Sequence, residues 1–421
     1  MNGLPKKYEL SNGLKVILAP IIGLQSVTVL ALVKAGTRYE TVNNNGISHF
    51  LEHIVFKGTK KYKTSMDISL AIDNIGGQMN AYTDKENTAF YVKSSTDHID
   101  TALDIVSQIV FESTLPEKEI EIERGVILEE IGMYEDQPHN KIIREFFNLL
   151  YPASTLGWDT LGKKETVSQM KRSQFLEYLQ YLYTPNRMTL VIAGGIDKIK
   201  NLESKIKNYF DIIKNKTEFS LHTYNFKQKN PAIRLLKKKT EQCHLVYGFR
   251  TSGRGNADRY VTAVTNVILG SGWSSRLFTE IREKRGLAYY VGTMADVYHE
   301  TGYFMMRAGV KPEKTEEVIK LTQVEFEQLK TKKIKAKELV KAKEYLKGHL
   351  LLGFEDSMEV AEFYGQDLLL ENKMRSIEDL ITGINQVTAD DVQKFTQNTF
   401  IENEANLAAI GENRYIEKLK I

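Results

Sequence analysis

The stretch NNGISHFLEHIVFKGT, residues 44–59, carries two patterns at once. Its apolar residues Ile47, Phe50, Leu51, Ile54 and Val55 recur at intervals of three and four until Gly58, the period of a helix with one buried face. Within that helix His49 and His53 stand four apart, about one turn, so both imidazoles can reach a single metal ion from one side. Glu52, three residues after His49, lies beside any ion held there and could orient and deprotonate a water. A chain with eight histidines shows such a five-residue pattern by chance at a rate on the order of one per cent. The plain alternative is a pair of surface histidines on an amphipathic helix.

Working outward, the preceding chain reads as strands. Lys7–Leu10 and Leu14–Leu18 flank Asn12-Gly13, which supplies the positive backbone dihedrals of a tight hairpin turn. Ser26–Ala35 is apolar at both alternating positions, predicting a central strand covered on both faces. Downstream, a helix from Met66 to Ile75 stops at Gly76-Gly77, an extended pair covers Asn80–Lys93, and a helix runs from His98 to Phe111. Pro116 opens a long acidic helix to about Tyr134, and Met188–Ala193 is a further strand. Residues 214–232 lose periodicity and turn polar, so two domains are expected, 1–214 and 233–421, joined by a linker at 215–232. The second half repeats the first in outline: strand His244–Phe249, helix Ala257–Leu269, extended pair Ala288–Met306, helix Glu313–Lys330. It contains no H-x-x-E-H, so one metal site per chain is expected.

Composition bounds the alternatives. At 421 residues, 42% apolar and 26% charged, the chain is an ordinary globular protein long enough for two cores. A net charge of +3 points to neither nucleic acid nor an anionic membrane as partner. Cys243 is the single cysteine, which excludes an intramolecular disulfide. Met1–Leu18 lacks the apolar core of a signal peptide and no segment has the length of a membrane span, making a cytoplasmic protein the expectation. The glycines and serines at 270–275 lack the lysine spacing of a phosphate-cradling loop. The other six histidines fall outside any ligand spacing.

A catalytic zinc site wants a third protein ligand and an open fourth position. The acidic helix offers Glu121, Glu123, Glu129 and Glu130, of which Glu123 and Glu130 are seven apart and share a face, with Val126 and Ile127 packing nearby. HFLEH followed by FKGT, then ERGVILEEI, resembles the pitrilysin and mitochondrial processing peptidase family of inverted-motif zinc peptidases. GGQMNAYTDKENTAFYV at 76–92, LGWDTLG at 156–162, YTPNRMTLVIAGG at 183–195 and GSGWSSRLFTEIREKRGLAYYV at 270–291 agree in order. Ser48 and Trp273 depart from the usual pattern without removing a ligand.

The resemblance implies an α+β fold of two homologous lobes, each a mostly antiparallel sheet packed with helices. It implies one Zn2+ per chain held by His49, His53 and Glu130, with Glu129 one position away as the alternative. Glu52 would activate water and Glu123 would support the site from behind a ligand. Asn80, Ala81, Tyr82 and Thr83 match the family's edge strand, to which a substrate peptide adds as a further strand. Arg282 and Tyr289 match an arginine and tyrosine that anchor substrate and stabilise the oxyanion. The implied activity is endoproteolysis of unfolded or presequence-like peptides inside a closed chamber. A homodimer is the expected assembly, or a heterodimer with a paralogue. The rival is a non-catalytic relative acting as an assembly subunit or peptide-binding scaffold.

Overall fold

The computed structural model describes residues 4–211 and 224–421, so the part of the expected linker at 215–223 lies outside the described residues. Among the described residues, the first half of the chain runs β1 (Lys6–Glu9), β2 (Lys15–Pro20), β3 (Ser26–Val33), α1 (Ile47–Ile54), α2 (Ser65–Asp73), β4 (Gln78–Thr83), β5 (Thr88–Ser95), α3 (Ile99–Phe111), α4 (Glu117–Asp136), α5 (Pro138–Leu150), α6 (Arg172–Leu182) and β6 (Met188–Gly194). The second half runs β7 (Ala232–Lys237), β8 (Cys243–Ser252), α7 (Arg259–Leu269), β9 (Ala288–Val297), β10 (Thr301–Val310), α8 (Thr315–Thr331), α9 (Ala336–Gly353), α10 (Ser357–Glu371) and β11 (Asn406–Gly411). Further helices Leu202–Phe210, Ile377–Gln386 and Ala389–Thr399, with shorter helical turns, complete the described chain.

The strands form two sheets, ordered β1-β2-β6-β3-β5-β4 and β7-β11-β8-β10-β9. The pairing β2-β6-β3-β5-β4 matches the second sheet in order and in sense. The pairs β2/β6 and β7/β11 are parallel, and every other neighbouring pair is antiparallel. The expected α+β architecture of two homologous lobes is therefore the observed one, with β1 added to the first sheet.

The described residues divide into two compact units: 4–131, 159–211 and 351–376 form the first; 132–158, 224–350 and 377–421 form the second. Each sheet thus gains a helix from the opposite half of the sequence. In the first unit, α3 covers one face of β3 and β5, while α10 packs on β3 and β6. Leu30, Leu32, Val191 and Ala193 meet Val360, Ala361, Tyr364 and Leu368 in one buried cluster. This double cover explains why β3 is apolar on both sides. In the second unit, α5 likewise packs on β8 and β11, burying Ile142, Phe146 and Leu150 against Val246, Met305 and Ala408.

Local chemistry sets the ends of the elements. Helix α2 starts at Ser65 because Thr64 and Asp67 form a reciprocal capping box. Gly58 ends the α1 region at φ +156°, where a Cβ would lie 2.8 Å from the Lys63 carbonyl oxygen. No helix among the described residues is long and apolar enough to cross a membrane.

Candidate metal centre

Helix α1 buries Ile47, Phe50, Leu51 and Ile54 in the first core, which turns Glu52 and His53 toward α4 and β4 while His49 stays buried at their edge. Its start is fixed by tertiary contacts. Gly46 sits at φ +96°, and a Cβ there would come within 2.7 Å of the Leu161 carbonyl oxygen. In place of a side-chain cap on α1 itself, the buried Glu40 accepts from Gly46 N (2.9 Å), Ser48 N (3.0 Å), Ser48 Oγ (2.7 Å) and Asn45 Nδ2 (2.8 Å). A carboxylate facing the first helical amides satisfies their unpaired donors and the positive end of the helix dipole. Ser48 Oγ also meets the Tyr178 hydroxyl at 2.7 Å, tying α1 to α6.

Helix α4 buries Ile120, Glu123, Ile127 and Ile131. Val126 is exposed instead of packing beside Ile127, because it lies on the outward stripe of α4 with Ile122 and Met133. Glu130 Oε2 lies 3.7 Å from His49 Nε2 and 3.8 Å from His53 Nε2, and one donor atom from each of the three residues falls within 4.8 Å of the others. Bonds of about 2.0–2.1 Å in a tetrahedral zinc site separate ligand atoms by about 3.4 Å, so this spacing suits the ion. Glu129 is exposed.

The second ring nitrogen of His53 is engaged. Its Nδ1 donates to Glu123 Oε1 at 2.8 Å, and Lys57 Nζ sits 2.6 Å from the other carboxylate oxygen. A carboxylate can only accept here, so the proton is placed on Nδ1 and Nε2 is left with a lone pair directed at the cluster. The hydrogen bond from His53, reinforced by Lys57, holds the Glu123 carboxyl below its ordinary range. Burial, with the neighbouring His53, pushes His49 down to about 3, which keeps it a neutral ligand. Burial would lower His53 too, but Glu123, Glu52 and Glu130 raise it overall. For Glu130, burial raises the carboxyl, with Asp159 and Glu123 adding to it.

Glu52 lines a cavity of about 330 Å3 with His53, Lys57, Met79, Asn80 and Ala81. Burial pushes its carboxyl up and Glu130 adds to this, while the Thr83 hydroxyl and His53 oppose it, the setting of a group able to take and return a proton. β4 is the edge strand of its sheet, as the peptide-adding role requires. Its residues do not act alike. Asn80 and Ala81 line the cavity, whereas the Tyr82 hydroxyl donates to Glu362 Oε1 (2.7 Å) on α10.

Arg282 and Tyr289 belong to the second unit. Both occupy irregular backbone. Arg282 lies in a π-helical turn, Phe278–Glu283, and its Nη1 donates to the Tyr289 carbonyl oxygen at 2.5 Å. The β9–β10 register jumps from Gly309↔Tyr290 to Val310↔Ala288, so Tyr289 is the extra residue of a β-bulge, with 74% of its surface exposed. Bulges and π-turns re-aim side chains and recur beside functional sites.

Sequence reasoning missed Glu40 and Lys57. Lys57 was within reach, four residues after His53 on the continuing turn. Glu40 carried no signal, because helix-capping rules look only at adjacent positions.

A sheet-and-helix unit used twice, with one copy carrying two histidines and a glutamate at zinc spacing, defines the class of inverted-motif zinc peptidases. The chain belongs to peptidase family M16. Residues 16–162 match the family model described as Insulinase (Peptidase family M16), and residues 169–346 match that of the Peptidase M16 inactive domain. The chain is 34% identical over 406 residues to a Bacillus subtilis protein named uncharacterized zinc protease YmxG, covering 95% of this chain and 97% of that one. It is 33% identical over 406 residues to an uncharacterized zinc protease of Rickettsia felis, covering 96% and 97%. Its fold matches the crystal structure of a protease from Helicobacter pylori at TM-score 0.91 and 24% identity, covering 97% of this chain and all of the other.

Proposed function

We propose that the protein is a zinc-dependent endopeptidase of unfolded or presequence-like peptides, with His49, His53 and Glu130 as the ligands of one Zn2+ per chain. The observation that carries the reading is the convergence of their three donor atoms within 4.8 Å beside the half-buried carboxyl of Glu52. When bound, zinc supplies Lewis acidity toward the scissile carbonyl and acidifies water. Glu52 takes the proton from that water and returns it to the leaving amine. Glu123 holds the His53 ring in its ligating orientation, and Lys57 holds Glu123. The free edge of β4 receives the peptide as an added strand, with Asn80 and Ala81 beside the cleaved bond.

Arg282 anchors substrate, and the exposed Tyr289 hydroxyl donates to the developing oxyanion. Two chains pair as a homodimer whose four lobes enclose the peptide, and the protein works in the cytoplasm. The family likeness supports the roles of Arg282 and Tyr289 and the paired assembly.

Elemental analysis of purified protein, together with cleavage of a quenched fluorescent peptide, tests the core of the reading. We expect about one zinc per wild-type chain, loss of zinc in Glu130→Gln, and retained zinc but abolished cleavage in Glu52→Gln. A wild type that neither binds supplied zinc nor cleaves peptide would sink it.

A further inference from the structure

We propose that the second unit carries a separate binding site for a compact phosphate-rich anion, in a cavity of about 610 Å3 walled by Arg276 and by lysines of the segment 332–341. Residues 332–341 contain five lysines and one glutamate, a net +4, whereas the whole chain carries +3.

The carboxylates that share the cavity are already engaged. Glu338 grips Arg276 through two contacts of 2.7 and 2.8 Å, and Glu325 approaches the same guanidinium at 3.5 Å. Glu280 is taken by Lys284 and by Arg285. Two of the lysines are occupied as well: Lys333 Nζ pairs with Asp390 at 2.5 Å, and Lys341 Nζ donates to the Ser274 carbonyl oxygen at 2.6 Å. Lys332, Lys335 and Lys337 also line the cavity and make no ion pair among the described residues.

Their backbone is held in place. Ile334 is buried between them, Lys332 N donates to Gln328 O at 2.8 Å, and the amides of Glu338 and Leu339 donate to Lys335 O at 3.0 and 3.1 Å. Three ammonium groups carried on that backbone around one concavity repel one another, and a multivalent anion relieves that repulsion. Lysine ammoniums act as point charges suited to phosphate. A cavity of this volume is the size of small-molecule sites, whereas an extended acidic peptide would want a groove or a sheet edge.

Isothermal titration of the zinc-loaded full chain with inorganic tripolyphosphate, in wild type and in the triple variant K332Q/K335Q/K337Q, decides the matter. All three lysines are exposed, so the variant should keep its melting temperature and peptide cleavage. We expect a single saturable site that weakens with added salt and loses about tenfold or more in affinity in the variant. Any stripping of zinc by the probe is common to both proteins, so the difference between them reports the cavity. Absence of saturable binding, or equal affinity in the two proteins, overturns the site. Tighter binding of hexaglutamate than of tripolyphosphate, lost in the same variant, overturns the phosphate assignment.

Discussion

At the scale of single residues, the metal centre depends on groups that are not ligands. Glu40 receives four donors at the start of α1, two of them on Ser48, next to His49. In Glu40→Gln an amide NH2 must replace one of the two accepting oxygens and face a backbone donor, a cost of about 1–3 kcal/mol. Urea unfolding should show that loss, and zinc should pass to a chelator several-fold faster than from wild type; unchanged values for both would refute the positioning role. A second residue-scale effect lies far from the metal in sequence. Burial, with His139 nearby, pushes His244 down to about 4, and its Nδ1 meets the Tyr290 hydroxyl at 3.0 Å. The unfolded chain, with an ordinary histidine, then binds more protons between about pH 6.5 and 4. Stability contributed by neutral His244 is therefore full above about pH 6.5 and is lost as pH falls toward 4. The slope of unfolding free energy against pH over that window should be shallower in His244→Asn than in wild type.

At the scale of elements, the residues proposed to meet substrate sit where regular structure is interrupted or borrowed. The π-turn holding Arg282 and the bulge holding Tyr289 are departures that local propensity does not encode, since each exists only against a partner strand or a neighbouring turn. The edge strand β4 is braced from behind by α10 through Tyr82 to Glu362, and its neighbour β5 is tied to the start of the same helix by Lys93 to Asp356 at 2.6 Å. In the proposed reading, Tyr82 acts on substrate through the position of its strand. Tyr82→Phe should lower stability by about 0.5–1.5 kcal/mol and raise KM for a peptide more than it lowers kcat, with zinc content unchanged. Steady-state kinetics beside elemental analysis would separate this from direct chemistry, in which kcat would fall alone.

At the scale of the whole molecule, each compact unit includes a helix from the other half of the chain. Gly365 of α10 shows how closely that helix seats: a Cβ there would fall 2.3 Å from Leu32 Cδ1 and 3.0 Å from Val191 Cγ2. Gly365→Leu should therefore destabilise the first unit by about 1–3 kcal/mol through overpacking, and hydrogen exchange should register it in β3 and β6. If only α10 loosened, the shared core would be wrong. Sequence alone determined the elements and the chemical set. Periodicity placed α1, α3 and the hairpin, because burial on one face imposes a 3.6- or 2-residue repeat. The spacing of His49, Glu52 and His53 named the chemistry, because one helical turn brings them to a common side. Tertiary structure alone decided which carboxylate anchors α1 and which helix covers each sheet. Those contacts lie beyond the reach of local patterns, Glu40 with Ser48 across an eight-residue loop and Leu32 with Gly365 across more than three hundred positions. A one-dimensional pattern records the buried face of an element but not the identity of what buries it.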